Sequence, residues 1–184
     1  FGSFAMSLYA NYTDKYFSGM QKKAADFDVI SMTAEKTAKY VKLMLKESGM
    51  NDVSIKQHSA IGEIIPKHYE IKMGKETIVF IYQSEACYSY NEIVLKEVSQ
   101  KIKVASIETI LHFYLAFLFS GKTYHDRERL ICLAQFLFVL QERNRLKQIG
   151  LLKRFSTECY GVQETLEGMR SKKNKKFKEL RKIN

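Results

Sequence analysis

From Ser106 onward the hydrophobic pattern of this chain becomes helical, and that change constrains the fold more than any other feature. Before it, short apolar runs alternate at period two around helix-like breaks; after it, apolar residues recur at helical spacing. Val53 to His58, His68 to Met73 and Thr77 to Gln83 read as strands, with Gly74-Lys75 as a tight hairpin turn between the last two. Ala25 to Met32 alternates as a further strand, and Ala86 to Tyr90 extends or follows the run ending at Gln83. A helix is predicted from Thr33 to Gly49. Thr33 caps it, Glu35 sits in the first turn where the helix dipole favours an anion, and Ala34, Ala38, Val41 and Leu45 form its apolar stripe. Past the switch, Ser106 caps a helix over Ile107 to Phe119 that Gly121 ends, and a second runs from about Asp126 to Arg145. Gly150 and Gly161 punctuate a basic stretch, and Gln163 to Lys182 closes the chain as a polar, charged helix. The predicted class is α+β (or α/β): a mixed sheet flanked by helices in residues 1–104, then a helical region in residues 105–184.

Composition narrows the functional classes. The 184 residues are 46% apolar with one proline, which suits a compact domain and excludes collagen, low-complexity disorder and a disulfide-stapled miniprotein. Cys87, Cys132 and Cys159 are an odd number with no C-x-x-C pair, so three reduced thiols in a cytosolic, reducing setting are expected. The apolar run Ile107 to Phe119 carries Glu108 and His112 and falls short of the roughly 20 residues a membrane span needs. Phe1-Gly2 reads like the interior of an element, so a fragment or trimmed domain is expected. The net charge of +10 points to an acidic partner: nucleic acid, nucleotide or anionic membrane. Seven of those ten charges lie in residues 170–184.

Two motifs suggest chemistry. Gly2-Ser3 opens an apolar run (Phe4, Ala5, Leu8) suited to a helix, and free amides at a helix start can hold phosphate. As a turn alone, Gly-Ser is commonplace. Asp26-Phe27-Asp28 lies in an otherwise apolar strand, whose period of two puts both carboxylates on one face. Two adjacent acids repel unless a cation neutralises them, and hard oxygen ligands suit Mg²⁺. The plainer reading of the same residues is a solvated edge strand with two outward acids.

Taken together, a Gly-Ser helix start followed by D-x-D on a strand resembles the polymerase-β-type nucleotidyltransferases. More closely it is similar to the poly(A) polymerase catalytic subunit of the large nucleocytoplasmic DNA viruses, through Gly2-Ser3, Ala5, Asp26-Phe27-Asp28 and Ser31. The likeness extends to the helix after the acidic strand, to Ala86-Cys87-Tyr88-Ser89-Tyr90-Asn91, to Lys153-Arg154-Phe155 with Cys159-Tyr160-Gly161, and to the basic end. The resemblance implies a nucleotidyltransferase-like sheet and transfer of AMP from ATP to RNA 3′-ends. It implies phosphate binding by Gly2 and Ser3, Mg²⁺ (or Mn²⁺) held by Asp26 and Asp28, and a host-cytoplasmic or virion location. ATP and RNA would be its partners, with a homodimer or a partner subunit as a further expectation. The family's third carboxylate falls at Cys87 here, a poor Mg²⁺ ligand. Either Glu85, two residues earlier, completes a catalytic set with Asp26 and Asp28, or the chain is a degenerate copy. Such a lobe would serve RNA binding, dimerisation or support.

Other motifs carry less. Gly121-Lys122-Thr123 imitates the end of a phosphate-binding loop, but Ala116 stands where that loop needs its first glycine and the segment follows a helix. His58, His68, His112 and His125 lack zinc spacing, and His112 is expected to be a satisfied core residue. The basic run Lys172, Lys173, Lys175, Lys176, Lys178, Arg181 and Lys182 is either a solvated tail or a guide for an RNA phosphate backbone. Tyr88 and Tyr90 either stack on bases or pack against strand neighbours.

Overall fold

Strand pairing divides the chain into a four-stranded sheet and a three-stranded one. The computed structural model describes residues 1–12, 27–95, 99–122, 125–154, 156 and 158–183. Helix α1 (Gly2–Ala10) precedes strand β1 (Phe27–Ser31) and helix α2 (Ala34–Glu47). Strands β2 (Val53–His58), β3 (His68–Met73) and β4 (Glu76–Gln83) follow, and the sheet order is β1-β4-β3-β2. The β1–β4 pair is parallel and the others are antiparallel, so the sheet is mixed, as predicted. Gly74 takes φ +59° in the β3–β4 turn, a left-handed conformation that glycine adopts without steric cost.

Alternation gives this sheet two different faces. Val53, Tyr69, Ile71, Val79 and Ile81 are buried together with Ala34 and Ala38 of α2, whose small side chains let the helix lie close. The opposite face carries Asp28, Phe80, Glu70 and Lys56 in one row and Ile30, Tyr82, His68 and His58 in the next. Thr33 stands at the α2 N-cap position without a side-chain cap bond. The work passes to neighbours: Gln83 Oε1 accepts from the Ala34 amide at 3.2 Å and Ser31 Oγ accepts from Thr33 at 3.1 Å.

The second sheet, β6-β5-β7, uses β5 (Tyr88–Leu95), β6 (Gln100–Ala105) and β7 (Cys159–Tyr160). The sequence pattern reached only the first part of β5 and missed β6. Helix α3 (Ile107–Ser120) starts as expected, with the Ser106 hydroxyl accepting from the Thr109 amide, and Gly121 closes it at φ +60°. Helix α4 (Arg127–Arg143) is capped by Asp126, which accepts from the Arg129 amide at 3.0 Å. A short turn of 3-10 helix (Gly150–Leu152) and helix α5 (Leu166–Ile183) complete the order. No described helix is long and apolar enough to cross a membrane.

The larger core joins Ala5, Met6 and Tyr9 of α1 to Tyr82, Val104, Ile110, Phe113, Phe117, Leu137 and Leu140, and so runs across position 104. Tyr9 is fully buried, and its hydroxyl donates to the Ala105 carbonyl at 2.9 Å, satisfying the one polar atom it brings inside. Two expectations need correction. Cys87 and Cys159 form a disulfide, with Cα atoms 5.3 Å apart, because β7 pairs beside the start of β5; only Cys132 is a free, exposed thiol. His112 is not a core residue: it sits on the exposed side of α3, its ring against Tyr88 and edge-on to Phe113.

Candidate functional site

The face of the four-stranded sheet that α2 leaves open borders a cleft of about 940 Å³, which α1, α3 and α4 also line. Its composition follows from strand register. Pairing Asp28 with Phe80 and Phe80 with Glu70 sets three strands' side chains in one row, and Lys56 on β2 extends it. All four line the cleft, together with Gly2 and Ser3 from the start of α1.

Gly2 and Asp28 are pressed together. Gly2 has φ +73°, and a Cβ built there would collide with the Asp28 carboxylate, lying 2.6 Å from its Cγ and 2.8 Å from its Cβ. The Phe1 nitrogen donates to the Asp28 carbonyl at 2.8 Å, which ties the turn to β1. The turn and one of the two aspartates are thus neighbours, with the amide-rich end of a helix beside a carboxylate. Asp26 lies outside the described residues.

Glu85 is placed elsewhere. It is exposed on the segment after β4, past Gln83, which pairs with Ser31 at the far end of the β1–β4 ladder. Three strand residues separate Gln83 from Phe80, the partner of Asp28, a rise of about 10 Å. Glu85 does not line the cleft. Cys87 is also remote in topology, bonded to Cys159 beside the second sheet, so the position paired with Asp28 on the neighbouring strand holds the Phe80 ring instead of an acid.

The acid that does share the row is Glu70, one the sequence pattern did not single out. It is buried, and about 10 Å separates its backbone from that of Asp28 across two strand spacings. Its carboxylate accepts from Thr77 Oγ1 at 2.6 Å, pairs with His58 Nε2 at 2.9 Å and meets Lys72 Nζ at 3.3 Å. Burial alone would raise its pKa. The bonds from Thr77, His58 and Lys72 outweigh that and hold it below the ordinary glutamate value. The signal was present in His68-Tyr69-Glu70-Ile71, an acid in a strand with apolar neighbours, the same feature that draws attention to Asp28.

Rings fill much of the remaining wall. His58 and His68 stack at 4.8 Å and 5°, and His68 stacks on Tyr82 at 4.8 Å and 22°. His125 stacks on Phe117 at 4.4 Å. Burial pushes the pKa of His68 down, as does nearby His58; its bond to the Pro66 carbonyl and the Glu70 charge act the other way. Burial likewise pushes His125 down, with His68 adding to the effect. Among the described residues no three His, Cys, Asp or Glu side chains are grouped to hold a metal ion. Asp28 and Glu70 are on opposite sides of Phe80, and the oxygens of Glu70 already accept three donors.

The predicted RNA-contacting residues Lys172, Lys173, Lys175, Lys176, Lys178, Arg181 and Lys182 all lie on α5 and are exposed. Lys176 pairs with Glu63 at 2.7 Å and Lys172 with Glu164. Tyr90 lies under Lys103, whose Nζ is 4.6 Å from the ring centroid.

The sequence matches no protein-family model and no curated protein. The fold does have a counterpart. A crystal structure of the Megavirus polyadenylate synthase superposes with a TM-score of 0.70 over 97% of this chain, at 15% sequence identity. The chain spans 37% of the length of that protein. A poly(A) polymerase-like α+β fold is therefore shown, on a chain that matches one part of a longer protein.

Proposed function

We propose that this chain is the nucleotidyltransferase lobe of a viral-type poly(A) polymerase, which adds AMP from ATP to RNA 3′-ends. The observation that supports it is the close packing of Gly2 against Asp28 at the start of α1, inside one cleft. In this reading the amides of Gly2 and Ser3 hold the outer phosphates at the positive end of the helix. Asp26 and Asp28 would hold Mg²⁺ or Mn²⁺, which would supply acidification of the 3′-hydroxyl and stabilisation of the leaving oxygen. The RNA 3′-oxygen releases its proton to water and bonds to the α-phosphorus, the bond from that phosphorus to the pyrophosphate oxygen breaks, and pyrophosphate leaves with the electron pair. The α5 cations guide RNA along its backbone, and the protein works in the host cytoplasm or virion, alone, as a homodimer or with a partner subunit.

Phe80 favours a second reading. It occupies the position on the neighbouring strand where a further acid would face Asp28, while Glu85 and Cys87 lie away from the cleft. A lobe of that kind keeps the scaffold and supports RNA binding or assembly without transferring nucleotides. One assay separates the two: primer extension by the complete protein with each NTP and Mg²⁺ or Mn²⁺, repeated with Asp28→Asn. Extension that Asp28→Asn abolishes supports catalysis in this cleft. Extension that survives the substitution assigns the scaffold role, and no extension by the complete protein refutes the poly(A) polymerase reading.

A further inference from the structure

We infer that Phe80 is the platform on which the base of a bound nucleotide stacks, an inference that rests on reading the cleft as a nucleotide site. Most rings of the cleft have given a face to another ring. His58 lies flat on His68, His68 on Tyr82, and His125 on Phe117. Phe80 differs. His58, His68 and Tyr82 meet it at 57°, 61° and 41°, with centroids 6.1 to 6.4 Å away, so no described ring lies flat against it. It is also only half-buried, whereas His68, Tyr82, Tyr114 and Phe117 are buried.

Its surroundings suit a planar, partly apolar ligand carrying phosphate. Ile65, Leu130 and Leu133 line the same cleft, so a base settling there leaves water for apolar side chains. Asp28 stands beside Phe80 on the neighbouring strand β1, with the amide end of α1 against it. That arrangement sets Asp28 one strand spacing from the ring, about 5 Å at the backbone, with the phosphate-holding turn packed on its carboxylate. Arg129 enters from α4 half-buried, and among the described residues no acid pairs with its side chain. A ligand phosphate provides that guanidinium with a charge-assisted partner. A nucleoside phosphate meets all of these features; a bare phosphate leaves the ring uncovered.

The test is photolabelling of the complete protein with 8-azido-ATP, followed by tryptic mapping. The peptide between Lys75 and Lys96 carries Phe80 and should be labelled, in competition with ATP. Phe80→Ala should weaken competition by ATP roughly 5- to 150-fold, the range for losing one base–aromatic stack. Competition by inorganic tripolyphosphate should be unaffected. Phe80→Leu keeps most of the apolar volume and should also weaken ATP, so a loss confined to Phe80→Ala points to misfolding and overturns the platform. Arg129→Gln should weaken ATP and tripolyphosphate alike. Labelling of other cleft peptides with ATP affinity unchanged by Phe80→Ala refutes the platform while leaving a nucleotide site. Absence of label from every cleft peptide refutes both.

Discussion

Replacing Gly2 by alanine tests the joint between α1 and β1 and yields a magnitude in advance. Two costs add. The first is conformational: Gly2 sits at φ +73°, and an L-residue held in the left-handed region loses about 1 kcal/mol. The second is steric. The new methyl would overlap the Asp28 carboxylate and come 2.8 Å from its Cβ, so side chain or helix must shift. Overpacking of this kind costs about 2 kcal/mol. Gly121→Ala isolates the first cost, because Gly121 has φ +60° and nothing lies within 4 Å of a Cβ there. For a chain of this length the sums translate to melting-temperature losses of about 2–4 °C for Gly121→Ala and about 6–12 °C for Gly2→Ala. Differential scanning fluorimetry measures both. Primer extension by the complete protein adds a functional readout, since displacing Asp28 should lower ATP incorporation well beyond the effect of Gly121→Ala. If the two variants melt within about 1 °C of each other, well inside the predicted gap, the close packing of Gly2 on Asp28 is refuted.

The histidines of the cleft predict a pH dependence. His68 and His125 have folded pKa values pushed down from the ordinary value near 6.5, so the unfolded chain binds protons more readily than the fold. Their contribution is full above that value and should be lost as pH falls through it toward the lower folded values. His58 and Glu70 face His68 from β2 and β3, and the stability tied to the lowered pKa of Glu70 should fade in a separate, more acidic window. Melting curves between pH 7.5 and pH 5 should flatten in His68→Phe; an unchanged slope would contradict the assignment. Changing Lys172, Lys173, Lys175, Lys176, Lys178, Arg181 and Lys182 to glutamine should hardly move the melting temperature, because α5 is exposed. The same variant should bind single-stranded RNA with a shallower salt dependence, by about 0.7 in log–log slope per lost phosphate contact, and an unaltered slope makes α5 a solvated tail.

Local signals were the legible ones. Gly74-Lys75 declares a hairpin because the turn chemistry lies within two residues, and Ser106 with Gly121 brackets α3 for the same reason. The signals that failed depend on distant partners. Thr33 reads as a cap, yet Gln83, fifty residues on, supplies the acceptor to Ala34. The lysines of Gln100 to Ala105 dilute the apolar pattern, so β6 emerges only once it pairs with β5. In the site, Gly2, Ser3 and Asp28 were readable because the motif is short. Glu70, Phe80 and Arg129 come together through sheet register and helix packing, which no stretch of sequence displays. Glu85 looked suitable on parity alone, since a shared face does not fix height along a strand. The Cys87–Cys159 bond spans 72 residues and carries no local spacing rule.

The two rows facing the cleft and the apolar residues under α2 are opposite sides of the same four strands. A one-residue slip in register between β3 and β4 would turn β3 over, carrying Tyr69 and Ile71 to the cleft side and driving His68 and Glu70 beneath α2. Chemistry and cohesion are therefore inherited together: a lineage can exchange individual side chains of the cleft, but it cannot slide the frame that presents them without dissolving the domain.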